Sequence, residues 1–145
     1  MPDIWWQFRE AIQSAPTVDV GRFVEAGCQR PMSYAVRAGY DAPFPDDSYC
    51  AGPRAMPGLI PTTPDDTASA ANRAAWAALC NSATPMLVAF SDGDPITGAM
   101  GPIFASQMRG AQGIEHPVIE GAGHFLQVDA GEELAAAIAA FLEPT

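Results

Sequence analysis

Acidic side chains and a histidine follow two apolar stretches that are typical of buried strands. Asp92 and Asp94 come soon after the run MLVAF at 86–90. His124 follows the shorter run PVI at 117–119. In sheets of parallel strands, catalytic groups gather beyond the carboxyl ends of the strands. A carboxylate that accepts a hydrogen bond from an imidazole fixes its tautomer and supports the protonated ring. The pattern therefore predicts an acid–histidine pair suited to general-base chemistry.

Either aspartate is a candidate for the carboxylate that orients His124. We favour Asp94 because Pro95 fixes the turn that follows it, and Asp92 stays the alternative. The opposing interpretation is a loop histidine with two aspartates that only cap the next helix. The order of acid and then histidine on consecutive strands argues against that interpretation. His116 lies in a polar loop, and we expect it to be solvated.

The elements around this pair predict an α/β fold whose sheet is incomplete. An Ala-rich helix over 67–80 precedes the first strand, and a broken helix over 96–108 joins the two strands. Asp129 is expected to cap a regular helix over about 130–142. Strands joined in this way are parallel, and their uniform apolar character suits coverage on both faces. Two such strands do not make an independent sheet, so another chain or further sequence must complete it.

Short helices joined by proline-rich loops are predicted for the first half of the chain. Pro53 must lie in the first turn of its helix or kink it. Asp66 or Thr67 is expected to cap the helix over 67–80. The predicted elements are helices over 4–13, after Asp19, after Ser33 and over 48–56, an extended or turn segment over 40–47, and a proline-rich crossing over 58–66.

Three stretches resemble haloalkane dehalogenases of the α/β-hydrolase superfamily. The block AGYDAPFPDDSY at 38–49, continued by AGPRAMP at 51–57, resembles their cap domain. FSDGDP at 90–95 and GAGHFLQ at 121–127 resemble their acid and histidine loops. The histidine loop alone is common to many α/β-hydrolases, but together with the cap block it is specific. The resemblance extends from Trp5 to Phe141.

The resemblance implies the C-terminal part of an α/β-hydrolase fold. The helical cap region and its return helix would occupy residues 1–82, and the C-terminal end of the core would occupy 83–145. The implied activity is hydrolysis of a carbon–halogen bond to alcohol and halide, with no cofactor and no metal. In that family an aspartate displaces the halide to form an alkyl ester, and the histidine activates the water that hydrolyses it.

The same resemblance assigns roles to individual residues. His124 would be the general base and Asp94 its partner. Trp6 is our candidate for the halide-binding residue, with Trp5 as the alternative, because an indole N–H donates a hydrogen bond without a competing charge. Both tryptophans also fit the core face of an amphipathic helix. The residues implied to line the substrate pocket are Ile96 and Phe125.

The family's nucleophile motif is missing from these residues. No Gly-x-Asp-x-Gly, Gly-x-Ser-x-Gly or Gly-x-Cys-x-Gly motif occurs, and no histidine precedes His116 to form an oxyanion motif. We therefore expect a truncated dehalogenase, either a gene remnant or a reading frame begun at an internal methionine. Alone it should be inactive and poorly folded, so its status as an enzyme is uncertain. The alternatives are a non-catalytic binding or assembly module that complements a separate N-terminal half, or a fragment of an epoxide hydrolase.

The composition excludes several classes of binding partner. The 145 residues carry 17 acidic and 7 basic side chains, all of the latter arginine, for a net charge of −10. No basic surface is available for nucleic acid, and no apolar stretch approaches the roughly 18 residues of a membrane span. The N-terminus has no secretion signal, so we expect a cytoplasmic protein. Cys28, Cys50 and Cys80 lack metal-ligand spacing and are expected to be buried or half-buried thiols. The implied small-molecule partners are a halogenated alkane and a halide ion, in a detoxifying role.

Overall fold

The computed structural model describes residues 3–143. These residues form short helices and a two-stranded parallel sheet. The chain divides into two compact units. The first contains the described residues up to Ala26 and the segment Pro31–Ala74; the second contains Gly27–Arg30 and the residues from Ala75 onward. The division at 82 and 83 into cap region and core is a separate, functional assignment and stays a prediction.

Four helices make up most of the first unit, and their N-terminal caps follow from the sequence. The Asp19 carboxylate accepts a hydrogen bond from Arg22 N (2.8 Å), and the Ser33 hydroxyl accepts one from Val36 N (3.2 Å). Both predicted helix starts are therefore confirmed. The helices are α1 (Asp3–Ser14), α2 (Val20–Ala26), α3 (Tyr34–Asp41) and α4 (Ala51–Leu59), with a 3-10 turn at Asp47–Cys50 before α4.

The proline-rich stretches are more helical than their composition predicts. The predicted extended or turn segment over 40–47 is wrong at its start, because α3 continues to Asp41. The helix predicted to end at 56 extends through Pro57 to Leu59. Pro53 lies in the first turn, where a proline costs no hydrogen bond, and Pro57 removes only one bond near the end of the helix.

Asp66 does not cap the following helix, which begins at Ser69 as α5 (Ser69–Asn81). Its carboxylate accepts hydrogen bonds from Thr62 N (2.5 Å) and Thr63 N (2.8 Å) in the preceding loop. The hydrogen bonds donated by the backbone amides of Thr63 and Thr62 hold the pKa of Asp66 below its ordinary value. The cap prediction is wrong because the same carboxylate satisfies a turn on its N-terminal side.

An arginine joins α1 to α4 within the first unit. The Arg54 guanidinium donates hydrogen bonds to Ala15 O (2.7 Å), just past the end of α1, and to the Asp47 carboxylate (2.6 Å). The last carbonyls of a helix lack partners within the helix, so this side chain stabilises its C-terminal end. Trp5 and Ile12 are the buried residues of α1.

The sheet lies in the second unit. Strands β1 (Phe90–Ser91) and β2 (Val118–Ile119) pair in parallel, with Phe90 opposite Val118 and Ser91 opposite Ile119. The predicted α/β class with an incomplete parallel sheet is confirmed. Residues 86–89 are not part of a strand, since the paired segment of β2 is only two residues long.

The prediction that His116 is solvated is wrong. It is half-buried, and its Nδ1 accepts a hydrogen bond from Val88 N (3.3 Å). Its Nε2 lies 3.1 Å from Ala111 O, so the ring bridges two backbone segments. A solvated histidine was expected because the sequence around it is polar, but its partners lie on other segments.

Three further helices complete the second unit. The helix predicted over 96–108 forms only from Met100, because turns over residues 95–99 precede it. Asp129 does not cap the last helix, whose N-cap is Ala130 without a side-chain bond. Buried side chains cluster around Met108 and around Ile119. The helices are α6 (Met100–Gln107), α7 (Leu126–Asp129) and α8 (Gly131–Leu142). Within residues 3–143, no helix is long and apolar enough to cross a membrane.

Candidate active site

The turn after β1 holds a carboxylate that is satisfied by its own loop. Asp94 accepts hydrogen bonds from Ile96 N (2.8 Å), from Thr97 N (3.1 Å) and from the Thr97 hydroxyl. Its side chain is 5% exposed. Burial acts to raise the pKa of Asp94, but the Thr97 hydroxyl, the two amides and His124 together hold it below the ordinary value. Asp94 is therefore ionised at neutral pH.

His124 follows β2 and contacts this carboxylate. Its Nδ1 lies 3.1 Å from Asp94 Oδ1. With the proton on Nδ1, the ring donates to Asp94 and leaves the lone pair of Nε2 available to accept a proton. The imidazole is 28% exposed, so it is reachable from solvent. The ring of Phe125 meets it edge-on, with centroids 5.1 Å apart.

Asp92 makes a different contact. Its Oδ1 accepts a hydrogen bond from Gly121 N (2.9 Å), so it holds the backbone of the histidine loop. Gly121 has φ +65°, a left-handed conformation that glycine adopts without strain. Of the two aspartates weighed from the sequence, the structure places Asp94 against the imidazole.

Two further contacts hold the histidine loop close to its neighbours. The Ser91 hydroxyl at the end of β1 donates to Gly123 O (2.7 Å). His124 N donates to Gly27 O (2.8 Å), which belongs to the short segment Gly27–Arg30. A Cβ on Gly123 would collide with the same carbonyl oxygen, so only glycine fits at this close approach.

Sequence reasoning missed Asp129 as part of this site. Its carboxylate accepts hydrogen bonds from Gly123 N, Gln29 N and Arg30 N. An aspartate before an Ala-rich helix carries the usual signal of a helix cap, and two of its actual partners lie about a hundred residues away in sequence. No local pattern identifies such contacts.

The predicted pocket residues lie beside the pair. Ile96 and Phe125 are half-buried and follow Asp94 and His124 by two residues and one residue. Ile96 also contributes its amide to the Asp94 carboxylate.

The predicted halide-binding residue lies in α1 of the first unit. Trp6 is 42% exposed, whereas Trp5 is 3% exposed. Their rings meet edge-on with centroids 4.6 Å apart, and the Arg9 guanidinium lies 5.7 Å from the Trp6 ring. Of the two tryptophans, Trp6 is the more exposed.

Among the described residues, no group of three or more histidine, cysteine, aspartate or glutamate side chains is arranged to hold a metal ion. Cys28 and Cys80 are half-buried and Cys50 is buried, as expected. The chemistry that the arrangement itself offers is proton transfer at Nε2 of His124.

A parallel strand pair with an acid turn after one strand and a histidine loop after the other is the C-terminal end of an α/β-hydrolase fold. The relatives of this chain carry a more specific name. It is 47% identical over 134 residues to a haloalkane dehalogenase of Mycobacterium marinum, and the aligned residues make up 92% of this chain and 45% of the relative. It is 42% identical over 138 residues to a haloalkane dehalogenase of Psychrobacter cryohalolentis, and the aligned residues make up 95% of this chain and 45% of the relative.

A solved structure agrees with these relatives. The tetrameric haloalkane dehalogenase DpaA from Paraglaciecola agarilytica NO2 matches with a TM-score of 0.85 and 26% identity, over 99% of this chain and 48% of that chain. No protein-family profile matches the sequence. The resemblance to the C-terminal half of haloalkane dehalogenases is confirmed, and the chain spans slightly less than half the length of the curated relatives that it matches.

Proposed function

We propose that this chain carries the general base of a haloalkane dehalogenase and the acid that orients it. The observation that carries the proposal is the 3.1 Å contact between His124 Nδ1 and the buried Asp94 carboxylate. The names of the relatives favour a dehalogenase over an epoxide hydrolase. The substrate class is a small halogenated alkane, and the setting is its cytoplasmic detoxification.

The reaction has two steps in this proposal. A carboxylate nucleophile attacks the carbon that bears the halogen, an ester bond forms, and the carbon–halogen bond breaks to release halide. His124 Nε2 then takes a proton from water, and the resulting hydroxide attacks the ester carbonyl. The ester breaks to alcohol and carboxylate, and Asp94 stabilises the imidazolium formed in between. His124 then releases its proton to solvent, so each turnover yields one alcohol, one halide and one proton.

Three other residues have roles in the proposal. Trp6 donates its indole N–H to the leaving halide, and its exposure in α1 supports this role over that of Trp5. Ile96 and Phe125 supply apolar surface for the alkyl chain. These roles come from the family resemblance and the local positions of the residues.

The nucleophile of the proposed reaction does not come from these 145 residues, which contain no Gly-x-Asp-x-Gly elbow. Members of a catalytic unit act together, and removing one costs up to about a million-fold in rate. We therefore expect the chain alone to show no dehalogenation above background.

A complementation assay tests the proposal. The chain is co-expressed with the part of the Mycobacterium marinum relative that lies outside the match, and halide release from 1-bromobutane or 1,2-dibromoethane is measured. We expect repeated turnover by the pair, no release by the chain alone, and no release beyond about one halide per enzyme on His124→Ala, because the base acts only in the second step. Turnover by the chain alone, or a pair that is insensitive to His124→Ala, would contradict the proposal.

Assembly without catalysis is the second candidate function, and one observation favours it. Val118 of β2 is 64% exposed although it belongs to a strand of the sheet. An apolar sheet residue left open in this way suits burial against a complementing N-terminal half. A pair that forms a stable complex but releases no halide from either substrate would favour this function.

A further inference from the structure

The segment Gly27–Arg30 and Asp129 are linked to the histidine loop by hydrogen bonds that the proposed reaction does not use. We propose that Asp129 and this segment, together called the Asp129 clamp, position His124 for proton transfer. The inference rests on the proposed role of His124 as the general base. Asp129 is a positioning residue here, since it touches the loop and not the reacting atoms.

One buried carboxylate joins three backbone amides. Asp129 Oδ2 accepts hydrogen bonds from Gly123 N (2.7 Å) and Gln29 N (2.7 Å), and Oδ1 accepts one from Arg30 N (3.0 Å). The residue is 7% exposed. Burial acts to raise the pKa of Asp129, but the amides of Gln29, Gly123 and Arg30 and the Cys28 thiol hold it below its ordinary value.

The segment holds the loop in return through its own backbone. Gly27 O accepts a hydrogen bond from His124 N (2.8 Å), the residue after Gly123. Two consecutive amides of the histidine loop therefore donate hydrogen bonds to the Asp129 clamp. Gly123 N donates to the Asp129 carboxylate, and His124 N donates to the Gly27 carbonyl. This arrangement fixes the backbone from which the imidazole projects toward Asp94.

The chemistry of the carboxylate explains why this position needs an acid. An ionised carboxylate only accepts hydrogen bonds and has lone pairs for all three amides. An asparagine at the same position offers one oxygen, and its NH₂ group would face an amide that is also a donor. Asp129→Asn should therefore release at least one amide and weaken the bonds to the others, including Gly123 N, because a neutral oxygen accepts less strongly than a charged one. The shape of the side chain changes very little.

A second tie from the segment supplies a matched control. The Arg30 guanidinium donates to Gly121 O (3.1 Å) and to the Glu133 carboxylate (3.0 Å). The ion pair is exposed on both sides, so it should contribute little. Glu133→Gln thus changes a carboxylate next to the same segment but leaves the Asp129 clamp intact.

The test is nuclear magnetic resonance of the full chain, labelled with ¹⁵N and ¹³C and held in complex with the complementing part of the Mycobacterium marinum relative, because the chain alone is expected to fold poorly. It records hydrogen exchange at the Gly123 amide and the tautomer of His124 from its two ring nitrogens. We expect a protected Gly123 amide and a single tautomer with the proton on Nδ1. Asp129→Asn should speed Gly123 exchange by roughly 10- to 100-fold, the range for losing a hydrogen bond to a charged group, and should mix the tautomers. Glu133→Gln should change neither.

The outcomes that overturn the inference are specific. A folded Asp129→Asn chain that keeps the single His124 tautomer excludes the positioning role, as does a wild-type chain with no protected Gly123 amide. If Asp129→Asn does not fold, acid titration of the wild type decides. The amide shifts of Gln29, Arg30 and Gly123 must then follow the Asp129 carboxyl ¹³C shift in one step, and separate titrations overturn the inference. None of these readouts needs dehalogenation, so they fail or succeed independently of the complementation assay.

Discussion

The acid turn after β1 and the histidine loop after β2 each depend on one buried aspartate, and the two carboxylates differ in what they contact. Asp94 accepts from the amides of its own turn and has His124 Nδ1 at 3.1 Å. Asp129 accepts from one amide of the histidine loop and from two amides of a segment about a hundred residues away in sequence. Backbone amides thus stabilise both charges, but only Asp94 faces an imidazole. The two proposed roles follow from this difference: Asp94 orients the general base, and Asp129 places the loop that carries it.

Replacing the acid that faces the imidazole should have the largest effect. Asp94→Asn in the complemented enzyme should lower the rate of halide release by about 10⁴-fold, because the histidine then loses its preferred tautomer. Asp92→Asn is the control, since that carboxylate contacts Gly121 N and not the ring. Equal losses for the two variants would erase the distinction between the two aspartates.

Replacing the acid that faces only amides should have a smaller effect on the same reaction. Asp129→Asn should lower the rate by about 10- to 100-fold, the size expected when a catalytic group is displaced but not removed. Its matched control is Glu133→Gln. A loss as large as that of Asp94→Asn would mean that Asp129 acts in proton transfer, and no loss would mean that the loop holds its shape without it.

A glycine in the left-handed region tests the histidine loop apart from its acids. Gly121→Ala forces an alanine into φ +65° and should destabilise the complemented enzyme by about 1–2 kcal/mol, measured by urea unfolding. Gly39→Ala is the comparison, because Gly39 lies within α3 and a Cβ there meets nothing within 4 Å. That variant should be neutral or stabilising, by up to about 1 kcal/mol. A stabilising Gly121→Ala would show that the loop does not hold the left-handed turn.

Acid sensitivity should be shared by both regions. The folded-state pKa values of Asp94 and Asp129 are lowered, so their ionised forms stabilise the fold above the unfolded-state pKa of about 3.9. This stabilisation falls away as the pH drops through the lower folded-state values. The unfolding free energy of the wild type should therefore decrease as the pH is lowered from 5. The decrease should be smaller in Asp94→Asn and in Asp129→Asn, because each variant lacks one of the two carboxylates. Parallel pH curves for all three chains would contradict it.

Local sequence signals predicted the elements that are stabilised locally. The caps at Asp19 and Ser33 formed as expected because each side chain bonds an amide three residues ahead. The cap predictions at Asp66 and Asp129 were wrong, since both carboxylates found other amides. A side chain with several possible amide partners cannot be assigned from spacing alone.

The local sequence likewise predicted one part of the candidate site and missed another. The positions of Asp94 and His124 after two strands follow from apolar runs and turn residues, and their roles stay predictions. The contact between His116 and Val88 and the bonds of Asp129 to Gln29 and Arg30 depend on the tertiary fold. The short length of β1 likewise depends on how much partner strand is available, which its own sequence does not encode.

The most direct test of the central claim is to trap the ester that His124 is proposed to hydrolyse. The complemented enzyme carrying His124→Phe is mixed with 1-bromobutane, and the partner half that supplies the nucleophile is analysed by mass spectrometry. We predict one released bromide and one butyl ester per enzyme, with no further turnover, because the base acts only in the second step. Continued turnover, or release of no bromide by a pair whose wild-type form is active, would contradict the role of His124.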